Sequence, residues 1–242
     1  MHILVDLLII GILAFCAWQG YRRGVIGGIL AVVFVVVAIY GANLVATTYS
    51  NEFADMFRPF VSGYLDRVET EAIEEHAPPE LASLSTEDLF RLDPGIEPEM
   101  AETVFLALGA HESRTYKLHY RYEAERFEGH TVNRAMTNVL VYAFCFLIIY
   151  VIAFLLLLIG FTVVYNIIPF SFRLPGHKLK LPDEIGGAVF GLGQGLLMVF
   201  MLTWLLGYLG LPLSRLAEGL LERTWLTEFF VRANPMTNWI SL

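Results

Sequence analysis

The chain has 242 residues, 56% of them hydrophobic and 17% charged, with a net charge of -8 and a mean hydropathy of +0.59. Soluble domains carry about 45–50% apolar and about 25% charged residues, and a departure in both directions at once points to a bilayer as the solvent. The acidic balance disfavours a nucleic-acid partner, because no broad face would neutralise phosphates, and Cys16 and Cys145, each inside an apolar run, read as small buried hydrophobes rather than a disulfide or a metal site.

The first apolar run covers residues 3–18 and is broken only by Asp6. At about 24 Å as a helix it is slightly short of a ~30 Å hydrocarbon core. A signal-peptide reading is opposed by the missing basic n-region, by Arg22 and Arg23 after the run, and by the absence of a small-x-small cleavage site. Uncharged runs follow at residues 25–46, 139–168 and 185–211. Each is longer than the ~18 residues that mark a spanning candidate.

The segment 47–138 differs abruptly, with about 18 acidic residues against about 8 basic ones. Phe53, Met56, Phe57, Phe60, Val61 and Tyr64 recur at helical steps, which predicts an amphipathic helix. Pro78-Pro79 ends it, Ser85 or Thr86 caps a short helix, Asp93-Pro94-Gly95 makes a turn, and Pro98 opens another helix. Residues 111–130 are polar with aromatics and are expected to be helix leading to the third run. In the tail, Leu213, Leu216, Leu220 and Leu221, then Trp225, Phe229 and Phe230, form an apolar stripe. It lies either on the membrane surface or against the protein's own helices.

The expected architecture is all-α and integral to the membrane, with about four transmembrane helices. Residues 1–46 form one transmembrane hairpin, 47–138 an inserted acidic helical domain outside the membrane, 139–211 a second hairpin, and 212–242 an amphipathic tail. Both short connections are basic: Arg22 and Arg23 in the first, Arg173, Lys178 and Lys180 in the other. Short basic loops stay cytoplasmic, which places the N-terminus, the acidic domain and the tail outside. Lys117, Arg121, Arg126 and Arg134 before the third run argue the other way, unless they belong to the folded domain.

The hairpins also share a glycine pattern. Gly20, Gly24 and Gly28 are spaced by four, as are Gly187, Gly191 and Gly195. That spacing lines each triple along one helix face, where backbones can approach closely. Packing within the chain, a homo-oligomer contact, and a repeat enclosing a transport site all remain open. Leucine is expected to be disruptive at Gly191 and Gly195 but neutral at Val199. A transport site would need polar groups inside the spans, and Asn43, Thr162, Gln194 and Thr203 are the candidates. Asp6 is the sole acid within a run; it either marks a functional site or solvates the start of a helix.

The pieces carry a resemblance. Asp6, the apolar run, Gly20-Tyr21-Arg22-Arg23-Gly24 and the long apolar helix resemble the N-terminal half of the colicin V production protein family. The segment Leu181-Pro182-Asp183-Glu184-Ile185-Gly186-Gly187, continuing through Gly191 and Gly195 to Leu197, resembles that family's glycine-rich C-terminal hallmark. Gln194 stands where the family commonly has a basic residue, and Pro182-Asp183-Glu184 departs from its usual polar-basic lead. The resemblance covers residues 1 to about 50 and 135 to about 240. It implies a bacterial inner-membrane protein tied to colicin V production or export and to envelope maintenance, with no catalytic residue to carry over. Some family relatives carry a fused extracytoplasmic serine protease; this sequence has no G-x-S-x-G motif.

No enzyme constellation is legible. His111-Glu112 does not continue to a second histidine, since Thr115 occupies that position. The acidic domain holds no cysteine for a zinc site. No catalytic, cofactor-binding or metal residue is expected. A scaffold with a protein partner or self-association is favoured, and a small-solute transporter or channel is the alternative.

Overall fold

The computed structural model describes residues 2–76, 101–102, 104–106, 112–167, 180–221 and 225–240. Among them the chain is helical, with turns and no strand. The helices are α1 (His2–His76), α2 (Glu112–Phe127), α3 (Val132–Ile167), α4 (Lys180–Leu221), α5 (Trp225–Arg232) and α6 (Met236–Trp239). The expected caps at Ser85 or Thr86, the turn at Asp93-Pro94-Gly95, the helix start at Pro98, and Arg173 and Lys178 lie outside the described residues.

Three stretches are long and apolar enough to cross a membrane: Val5–Pro59, Val132–Tyr165 and Lys180–Leu206. The first has 55 residues, about 80 Å of helix and far more than one ~30 Å crossing needs. Its geometry resolves the excess. Gly24 alone leaves the helical region, with φ 77 and ψ 179. Before it, Ile9 packs with Val199, Leu13 and Cys16 with Gly195, and Gly20 with Gly187 and Gly191. This arm is therefore antiparallel to α4. Beyond it, Val25 meets Gly186, Gly28 meets Gly187 and Phe190, and Val32 meets Gly193. This arm is parallel to α4. The chain reverses at Gly24, and both arms run along the same helix. The sequence reading places a loop at Arg22 and Arg23; the structure keeps both helical and turns on one glycine.

The chain divides into two compact units. The first comprises Met1–Val45, Ile149–Leu205 and Gly219–Ser241; the second comprises Ala46–Ile148, Leu206–Glu218 and Leu242. In the first unit, α3 runs against the second arm of α1. Phe34 stacks on Phe161 at 4.7 Å, and Tyr150 hydroxyl donates to the Ile39 carbonyl at 3.5 Å. Large apolar side chains point outward along every element: Leu8, Phe15 and Val33 on α1, Ile152 and Leu156 on α3, Val189 on α4. Such a surface needs hydrocarbon around it.

The second unit is a helical assembly with its own core. Ala54, Val141 and Cys145 are buried together with Phe57 beside them. The apolar residues 139–147 of α3 are nearly all buried, and outward-facing apolar residues begin at Ile148. α2 lies antiparallel to this part of α3. Glu125 accepts from Asn138 Nδ2 at 2.6 Å, and the Arg121 guanidinium sits 3.4 Å from the Tyr142 ring centre. Gly129, at φ 87, supplies the left-handed residue of the connecting turn.

Candidate helix-packing site at Gly24 and Asp183

The site grows from one backbone break. A helix that stops at Arg23 and restarts at Val25 leaves the restart's first N–H groups without helical acceptors. Asp183, in the first turn of α4, fills that deficit. Its Oδ1 accepts the Val25 N–H at 2.9 Å, as an N-cap side chain would, although it comes from a different helix. The carboxylate is 3% exposed and lies directly over Gly24, in the space a side chain there would occupy. The φ/ψ of Gly24 falls in a region essentially closed to other residues. Position 24 is thus glycine for two independent reasons.

Glycines carry the contact away from this point on both arms. A Cβ at Gly187 would come within 2.8 Å of Gly24 Cα, and one at Gly20 within 2.8 Å of Gly191 Cα. A Cβ at Gly28 would sit 2.8 Å from Phe190 Cβ and 3.1 Å from the Gly187 carbonyl. At Gly195 the neighbours are Cys16 Cβ at 3.2 Å and Leu13 Cα at 3.3 Å. Gly20, Gly24, Gly28, Gly187, Gly191 and Gly195 are therefore gathered along one contact between α1 and α4. Gly11 and Gly160 have nothing within 4 Å of an added Cβ. Val199 lies in the same row, is fully buried with Val5, Ile9 and Phe230, and so is not the tolerant site expected for it.

Charged and aromatic side chains ring the turn. Arg22 lies 5.1 Å from the Trp18 ring centre and Arg23 4.7 Å from that of Tyr165. Tyr21 hydroxyl donates to Glu184 at 2.8 Å, and Lys180 approaches the same carboxylate at 3.9 Å. Asp6 is elsewhere, half-buried near the far end of the first arm, and Gln194 is half-buried on α4. Of the transporter candidates, Thr162 bonds back to the Leu158 carbonyl at 2.8 Å and Thr203 to that of Val199 at 3.0 Å.

The match to known proteins falls on this turn. Residues 5–74 match the family described as Colicin V production protein. Comparison with curated proteins and with solved structures found no match. The matched range of the colicin V production family holds both arms of α1 with Gly20, Gly24 and Gly28. Asp183 and the α4 glycines lie beyond it, brought to it by the fold.

Two features escaped the sequence reading. The sequence reading treats Asp183 only as part of a departure from the family's usual lead-in; its place beside a glycine-faced helix start is the available signal. In the tail, Asn234 is buried, and its Nδ2 donates to the Phe200 carbonyl at 2.8 Å and to Thr203 Oγ1 at 3.1 Å. Its Oδ1 accepts the Met236 N–H at 2.9 Å. With Phe230 in the core beside Val5 and Ile9, the tail packs on the protein's own helices. A separate group in the second unit, Glu125, Glu128 and His130, brings three ligand-type atoms within 4.8 Å of one another. Glu125 there already engages Asn138 and, at 3.0 Å, His130, which reads as a brace for the turn at Gly129.

Proposed function

We propose that the chain is a scaffold of the bacterial cytoplasmic membrane that crosses the bilayer four times and assists colicin V production or export and envelope maintenance. The two arms of α1 and the outward-apolar parts of α3 and α4 supply the crossings. Residues 5–24, 24–44 and 148–167 each make about 30 Å of helix, the thickness of a hydrocarbon core. The basic Gly24 end faces the cytoplasm, and the acidic second unit lies outside.

The observation that carries the scaffold reading is the backbone-to-backbone contact from Gly24 and Gly187 to Gly195. Interfaces of that closeness favour a fixed bundle. Two of the four polar groups a transport path would use are turned to other ends: Thr203 holds the tail through Asn234, and Thr162 bonds back to its own helix while exposed on the outer surface. The second unit offers the surface for a partner protein. On α2, Tyr116, Tyr120 and Phe127 share an outward face, and Phe127 is 94% exposed.

Three experiments test the reading. A photo-crosslinking residue at position 120, in cells producing colicin V, is expected to yield a discrete adduct with a second protein. Solute uptake by liposomes that depends on the reconstituted chain would instead establish the transporter. For orientation, single cysteines at positions 71–75 are expected to react with an impermeant thiol reagent on intact cells. Labelling only after lysis would reverse the assignment.

A further inference from the structure

The Gly24 end of the first unit has a charge opposite to that of the whole protein. Among the described residues, Arg22, Arg23 and Lys180 meet there. The acids at this end are committed inward. Asp183 is buried on the Val25 N–H, and Glu184 accepts from Tyr21 with Lys180 near. Arg22 is exposed and Arg23 half-buried, and each guanidinium is laid over an aromatic ring, Trp18 and Tyr165 respectively. Cation–π stacking orients a guanidinium while leaving its N–H edge able to bond. Trp and Tyr are the residues that settle at the headgroup level of a bilayer.

We infer that this end is a binding surface for the phosphate headgroups of anionic phospholipids, with Arg22 and Arg23 as its principal contacts and Lys180 beside them. A phosphodiester offers the paired acceptor oxygens that a guanidinium fork matches. The Trp18 and Tyr165 rings would sit beside the glycerol region, so a bound lipid would bridge the start of α4 to the α1 turn and hold the arms together. The inference rests on this end lying at a membrane surface and is independent of any partner or scaffold role. A zwitterionic lipid carries the same phosphate but brings a cation with it, and the surrounding basic charge disfavours it.

The test uses the full chain purified in a neutral detergent. Phosphatidylglycerol added to the micelles is expected to raise the unfolding temperature and to remain bound in native mass spectrometry, whereas phosphatidylcholine does neither. Arg22→Gln combined with Arg23→Gln is expected to weaken phosphatidylglycerol binding at least tenfold, while Arg232→Gln, on the tail, leaves it unchanged. Should the double variant not fold, Lys180→Gln is measured in its place and is expected to weaken binding severalfold. Equal effects of the two lipids, or full phosphatidylglycerol binding by the variants, would overturn the inference. Equal stabilisation by inorganic phosphate alone would also overturn it, assigning the surface to a soluble anion. None of these outcomes bears on the crosslinking result, so the lipid surface and the scaffold role stand or fall separately.

Discussion

The Asp183 carboxylate closes the α1 reversal by accepting the Val25 N–H at 2.9 Å, across 158 positions of sequence. A helix restart capped from another helix ties two distant stretches of chain at a single hydrogen bond. Removing an N-cap acceptor costs about 0.5–2 kcal/mol. Asp183→Ala is therefore expected to lower the thermal stability of the detergent-solubilised protein, and Asp183→Asn, which keeps an acceptor at the same reach, to retain most of it. Thermal unfolding followed by circular dichroism reads the difference. Equal losses in the two variants would show that the charge, not the hydrogen bond, holds the turn.

Gly24 is the sharper test of the same turn. Any side chain there meets both a forbidden backbone region and the Asp183 carboxylate. Backbone strain of this kind costs about 1–3 kcal/mol, and the displaced carboxylate loses its bond to Val25 as well. Gly24→Ala is expected to destabilise more than Asp183→Ala does. Gly24→Ala placed on the Asp183→Ala background should cost less than on the native one, because the obstructing carboxylate is gone. A double-mutant cycle in thermal unfolding measures that coupling; strict additivity would mean the two residues act independently.

Along the rest of the interface, size decides. A Cβ at Gly191 meets the Cys16 carbonyl carbon at 3.0 Å and Gly20 Cα at 3.1 Å, backbone atoms that cannot swing aside. Overpacking of a tight site costs typically about 1–3 kcal/mol and occasionally more. Gly191→Leu and Gly195→Leu are expected to lower the unfolding temperature, whereas Gly11→Leu and Gly160→Leu, which face open space, leave it unchanged or raise it in lipid. Size-exclusion chromatography with light scattering on the same variants separates a contact within the chain from one between copies. A change of oligomer with a stable monomer would mean the glycine face also meets a second chain.

How much of this was written in the sequence depends on what each signal measures. The apolar runs announced the helices, because 18 or more uncharged residues have few other fates. The four-residue glycine spacing announced the faces of α1 and α4. The basic connection expected at Arg22 and Arg23 lies within two residues of the true turn at Gly24, but nothing in Arg22-Arg23-Gly24-Val25 tells the sign of φ, so a one-residue reversal is not legible there. The sequence does not assign Asp183 a partner because that partner is a backbone N–H, which every residue except proline has. Residues 139–147 and 148–167 of α3 are equally apolar, yet the first group is buried by the second unit and the second turns large apolar side chains outward. Hydropathy measures the dislike of water and does not say whether protein or lipid takes its place.

The tail offers a prediction of a different kind, because its attachment is polar. Asn234 makes three hydrogen bonds at once: two from its amide nitrogen to the Phe200 carbonyl and Thr203 hydroxyl, one from Met236 to its oxygen. Leaving buried groups unsatisfied costs about 1–3 kcal/mol, and here the Phe200 carbonyl retains a bond from Thr203 at 3.2 Å. The loss falls mainly on the tail. Asn234→Ala should therefore loosen 225–240 without unfolding the arms of α1. Hydrogen exchange is expected to rise across α5 and α6 while protection at residues 5–45 holds. Thr203→Val removes just one of the three bonds and should show a smaller rise in the same peptides. Phe230, packed with Val5 and Ile9, provides an apolar comparison: Phe230→Ala should loosen the tail and also expose the start of α1. If Asn234→Ala raised exchange throughout the first unit, the tail would be part of one cooperative fold rather than a separately attached segment.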